Sequence, residues 1–116
     1  MRTIILALSF SMAAAVATAE PQIITAGDAK TRIGETVTVE GTVADVHLGR
    51  SGTAFIDIGG RFPDNALTAV IFVDDLGKFP GAKALAGKQV AISGPVQLYQ
   101  GKPEIILKSA DQLKTR

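Results

Sequence analysis

A glycine interrupts an otherwise regular strand pattern at Val37-Thr38-Val39-Glu40-Gly41-Thr42-Val43. Valines recur at every second residue, the period of a strand with one buried face. Gly41 falls where the next member of that buried set is due. A glycine there lets the strand bend sharply or lets another backbone approach closely. Farther along, Tyr99-Gln100-Gly101-Lys102-Pro103 reads as the tip of a hairpin whose outgoing strand opens on proline. A long, bent first strand followed by several short ones suits a small sheet that curls on itself into a barrel.

The first strand is expected over 36–48. Val37, Val39 and Val43 share one parity and Val46 and Leu48 the other, so a bulge is expected near Ala44-Asp45. Gly49-Arg50-Ser51-Gly52 is a turn signal, and a second strand follows over 53–58, closed by Gly59-Gly60. A loop through Arg61-Phe62-Pro63-Asp64-Asn65 leads to a third strand over 66–73. Asp74-Asp75 suits the cap of a short helix over 76–85, made irregular by Gly77, Pro80 and Gly81. The fourth strand is expected over 89–99 with a bend at Gly94-Pro95, the fifth over 104–108, and a last turn over 109–114 capped by Ser109. Val39 and Ile92 are expected inside, and Phe72, between Ile71 and Val73, is expected in the core. Five strands with a helix between the third and fourth is the connectivity of the OB-fold.

The N-terminus carries a separate message. Arg2, an apolar stretch over 4–16 and Ala17-Thr18-Ala19 ahead of Glu20-Pro21 make the pattern of a secretory signal peptide. The apolar run is shorter than the ~20 residues a spanning helix needs. The expected organisation is a signal peptide over 1–19 and one domain over 20–116, exported to the periplasm or secreted, with no membrane span after cleavage. Cysteine is absent, so the domain holds together by packing and offers neither a thiol nucleophile nor a thiolate metal site. Of twelve Lys and Arg only Arg2 is lost with the leader, which leaves eleven against eleven Asp and Glu. A neutral domain lacks the basic surplus of a strong nucleic-acid binder.

The segment Ile33-Gly34-Glu35-Thr36-Val37-Thr38-Val39-Glu40-Gly41-Thr42-Val43 resembles the opening strand of the OB modules of aminoacyl-tRNA synthetases, helicases and DNA polymerases. Tyr99 to Pro103, with Glu104-Ile105-Ile106, is similar to their hairpin between the fourth and fifth strands. The stretch from Ser51 to Pro63 resembles small exported bacterial OB-fold proteins. The resemblance covers 33–108 and implies a five-stranded barrel that binds ligands along strands two and three, between the loops after strands one and four. In this chain those places hold His47, Arg50, Phe55, Arg61, Tyr99 and Lys102, the candidate binding residues. Rings offer bases a sequence-tolerant stacking surface, and arginine both stacks and contacts phosphate. A small cysteine-free core competes for the same rings. Phe55 is ambiguous, since it alternates with the buried-looking Ile56 and Ile58.

Catalytic and metal readings are poorer. His47 has Asp45 and Ser51 close in sequence, but a triad needs its members placed around a pocket and no G-x-S-x-G elbow is present. Asp45, His47 and Asp57 can approach across the first two strands, yet nothing fixes a ligand geometry. The expected protein is therefore non-enzymatic, with no cofactor and no metal. Its leading function is weak, sequence-tolerant binding of single-stranded DNA or RNA. The alternative is a periplasmic adaptor or small-ligand module for a protein, peptide, glycan or cationic compound on the same face.

Overall fold

The structure, a computed structural model, describes residues 21–116. The expected leader over 1–19 and its cleavage point before Glu20 lie outside these residues. The chain forms β1 (Ile23–Thr25), β2 (Thr36–Leu48), β3 (Ala54–Ile58), β4 (Leu67–Ile71), β5 (Gln89–Pro95), β6 (Gln97–Tyr99), β7 (Lys102–Ile106) and β8 (Leu113–Thr115). Short 3₁₀ helices occupy Ala26–Thr31, Val73–Lys78, Ala82–Ala84 and Ala110–Gln112. The fold is all-β, and its strands hydrogen-bond in the order β6-β7-β4-β3-β2-β5-β8, with β1 parallel to β2.

β2 organises the sheet because it pairs with different partners along its two halves. Its first half pairs antiparallel with β5, Val39 opposite Ile92, and both side chains are fully buried. Its second half pairs antiparallel with β3, and the register shifts between Val43 and Asp45. That is the expected bulge, and it has a consequence for function. It puts Val46 against the core while turning Asp45 and His47 to the opposite face.

Gly41 sits just before this switch. A β-carbon there would lie 2.6 Å from Cγ2 of Ile58, so the glycine permits close packing of β2 over β3. Inward-facing residues then register in layers: Ala54 with Ile71, Ile56 with Ala69, Ile58 with Leu67, and Ala69 with Ile105 across the parallel β4–β7 pair. All of these are buried.

Several expectations need correction. The described residues hold eight strands rather than five, because the expected fourth strand divides at Val96 into β5 and β6, and β1 and β8 are three-residue additions. The expected helix over 76–85 is two 3₁₀ segments, since Gly77, Pro80 and Gly81 deny it a continuous α-helical run. Phe72, not an aspartate, is the N-cap residue of Val73–Lys78, and Asp74 and Asp75 lie in the first turn. The third strand stops at Ile71, so Phe72 leaves the sheet and is 45% exposed instead of joining the core. Among the described residues no helix is long and apolar enough to cross a membrane.

Candidate functional site

Strand alternation produces the site. With Ala54, Ile56 and Ile58 inward, Phe55 and Asp57 stand on the outer face of β3. Their cross-strand neighbours on one side are His47 and Asp45, brought to that face by the bulge in β2. On the other side are Val70 and Thr68 of β4, and Thr68 in turn pairs with Glu104 of β7. The β6–β7 hairpin brings Tyr99 opposite Lys102 at the edge of the same surface.

The loop over 59–66 completes the wall. Gly59 has φ 73°, and a β-carbon there would meet that of Ala66 at 2.9 Å, so only glycine fits the turn. Asn65 fastens the far end of the loop by donating to the Leu67 carbonyl at 3.0 Å and to Thr68 Oγ1 at 2.7 Å. Phe62, at the middle of the loop, is left 63% exposed over the groove.

The groove measures about 460 Å³, and four rings line it: His47, Phe55, Phe62 and Tyr99. That size suits a small ligand or one or two bases of a longer one. His47 and Phe55 stack with centroids 5.2 Å apart and planes 19° from parallel. Lys102 Nζ lies 4.9 Å from the Phe62 ring centroid, a cation–π distance.

Two ionisable groups share the cavity with these rings. Asp57 is 1% exposed, and His47 Nε2 approaches its Oδ2 to 3.3 Å. Burial pushes the Asp57 carboxyl above its ordinary value of 3.8; His47 and the Phe62 backbone N–H pull against that shift, and the carboxylate of Asp45 adds to it. Neither attractive neighbour meets the distance and angle of a hydrogen bond. Both Asp57 oxygens and Lys102 Nζ are therefore buried without a hydrogen-bond partner among the described residues.

Of the six expected binding residues, the groove gathers His47, Phe55, Tyr99 and Lys102. It does not gather Arg50 or Arg61. Arg50 is exposed on the turn after β2, and Arg61 is exposed beside Phe62 with neither lining the cavity. Loop arginines follow the loop backbone, which strand periodicity does not fix. Sequence reasoning missed Phe62, Thr68 and Glu104 as lining residues and took Asp57 only as a poor metal ligand. The signal for Asp57 was an aspartate inside an isoleucine-rich strand, a residue type that strands disfavour.

The catalytic alternative gains nothing from the geometry. Ser51 Oγ pairs with Thr53 Oγ1 at 3.0 Å, and His47 faces Asp57 and Phe55 instead. Among the described residues no cluster of three or more His, Asp or Glu gathers at metal-binding distance.

No family model matches the sequence. No curated protein matches it either. Solved structures do. Asparaginyl-tRNA synthetase from Pyrococcus horikoshii aligns with a TM-score of 0.60 at 19% identity, covering 79% of this chain and 22% of the synthetase. The S. pombe Stn1-ten1 complex aligns at 0.54 and 16% identity, over 70% of this chain and 57% of that one. OBody AM1L10, bound to hen egg-white lysozyme, aligns at 0.54 and 21% identity, over 75% and 84%. The protein is similar to the OB-fold modules of aminoacyl-tRNA synthetases, and it spans about a fifth of the synthetase chain's length.

Proposed function

We propose that this chain is a non-enzymatic OB module that binds single-stranded nucleic acid weakly through the groove on the outer face of β3 and β4. The observation that carries the reading is the convergence of four rings, from four separate elements of the chain, on one open groove. Exposed rings give unpaired bases a stacking surface that tolerates sequence. The OB-fold places its ligand face at these strands, flanked by the hairpin that here carries Tyr99 and Lys102. In this reading β5 runs on into β6 across Val96 and the sheet wraps as the barrel of that fold. The synthetase likeness supports RNA as a ligand class.

The domain is proposed to work outside the cytoplasm, as residues 20–116 after removal of the leader. Its neutral charge limits phosphate contacts, because only Lys102 lines the groove and Arg50 and Arg61 stand outside it. Affinity is then micromolar or weaker at physiological salt, with a shallow salt dependence of about −0.7 per phosphate contacted. Fluorescence anisotropy of a labelled oligothymidine at low and moderate salt tests this. Saturable binding supports it, and no binding at low salt refutes it. In the second case the same apolar groove, on a domain without basic surplus, favours an adaptor that docks a protein or peptide.

A further inference from the structure

The rings account for stacking but not for Asp57. A carboxylate buried to 1% exposure without a bonded donor is costly, and folded proteins ordinarily supply such a group with partners. This one sits in a groove open to ligand, so a ligand can supply the missing donors. Lys102 Nζ is a second such group, a donor this time: buried, on a residue that lines the same groove, and without an acceptor among the described residues. A ligand that satisfies both groups offers two adjacent donors to the carboxylate and an acceptor to the ammonium.

Among the bases, guanine meets that demand best. Its Watson–Crick edge presents N1–H and N2–H₂ side by side, so both oxygens of one carboxylate are satisfied at once, and O6 lies next to them as an acceptor. Adenine and cytosine each offer one exocyclic amino group to an acid, and thymine offers a single ring N–H. A two-point contact with a carboxylate is both stronger and more selective than a single one. An ammonium has three donors and no acceptor, which suits O6.

We infer that Asp57 reads guanine: its carboxylate accepts N1–H and N2–H₂ of one unpaired guanine held among the groove rings, while Lys102 donates to O6. This rests on the nucleic-acid reading above and adds one selective position to an otherwise tolerant strand site. His47, stacked on Phe55 and 3.3 Å from Asp57, is a positioning residue for the carboxylate.

The test uses nine-residue oligothymidines with a single central dG, dI, dA, dC or dT, titrated by anisotropy against the purified protein and against Asp57→Asn. A two-point base contact predicts a preference of roughly ten- to a hundredfold for dG over dT in the wild type. Inosine keeps N1–H and O6 but lacks the 2-amino group, so dI falls well below dG. In Asp57→Asn the ratio of dG to dT affinity drops to about one, with melting used to verify that the variant is folded. Equal wild-type affinity for dG and dT overturns the guanine reading and leaves the general strand site standing, as does a preference for dA or dC. Equal affinity for dI and dG overturns the two-point contact without recourse to any variant. A dG preference that survives in a folded Asp57→Asn overturns the assignment to this residue. Failure of every strand to bind overturns the nucleic-acid reading itself.

Discussion

Replacing Gly41 by alanine sets two effects of opposite sign against each other, and the structure decides between them. Gly41 does not have a positive φ, so alanine fits its backbone and reduces the entropy of the unfolded chain, a gain of about 0.4–1 kcal/mol. Against that, the new methyl lies 2.6 Å from Ile58 Cγ2, far inside van der Waals contact. Ile58 is fully buried in register with Leu67 and cannot swing into solvent. Crowding of this kind in a packed core costs about 1–3 kcal/mol. The crowding term wins, and the net loss is roughly 0.5–2 kcal/mol, a fall of several degrees in Tm for a domain of this size. Ile58→Leu removes the offending Cγ2 methyl, the branch at Cβ, at nearly constant volume, so Gly41→Ala should cost less in that background. Urea unfolding of the four proteins in a double-mutant cycle measures the difference. Wild-type stability in Gly41→Ala, or the same cost with leucine at 58, would refute crowding against Ile58 as the cause.

Val39 and Ile92 face each other in register and are fully buried, so alanine at either should cost about 2–4 kcal/mol in urea unfolding; wild-type-like stability would break the β2–β5 pairing. Asp57 gives a pH signature. Its folded pKa lies above 3.8, so the folded state holds the proton more tightly than the unfolded chain. That stabilisation is complete below about 3.8 and is lost as pH rises through the raised value. The Tm of Asp57→Asn relative to wild type should therefore climb from acid toward neutral pH, and a flat difference would show that burial does not perturb the carboxyl. For binding, Tyr99→Ala should weaken strand affinity with little change in salt slope, and Lys102→Ala should do the same, because its ammonium is assigned to a base and not to a phosphate. A slope flattened by about one phosphate's worth in Lys102→Ala would place that ammonium on the backbone instead.

What the chain reveals in one dimension is what strand alternation controls. The valine row, Gly41 and the parity change after Val43 are enough to read β2, its bulge and the inward Val39. The same alternation leads to His47 and Phe55 on the outer face, and the hairpin signal leads to Tyr99 and Lys102. Phe72 fails because one residue decides the matter: the strand ends at Ile71, and a side chain that would have alternated inside goes outward at the start of a 3₁₀ turn. Arg50 and Arg61 lie outside the groove because loop direction, not sequence spacing, sets where a loop side chain ends up. Phe62 is the converse case, a ring whose position depends on Gly59 and on the Asn65 anchor. The burial of Asp57 needs the cross-strand positions of Asp45 and Thr68 and the covering loop, none of which period-two patterning supplies.

The measurement that bears most directly on the groove is backbone amide shift mapping by NMR as an unlabelled oligothymidine is titrated into isotopically labelled protein. Stacking on the four rings predicts that the largest shifts cluster at 47, 55–57, 61–63 and 99–104, with little change along β5 and β8 on the other half of the sheet. Shifts confined to β5 and β8, or to the exposed apolar residues Phe72 and Val73 away from the groove, would contradict the account.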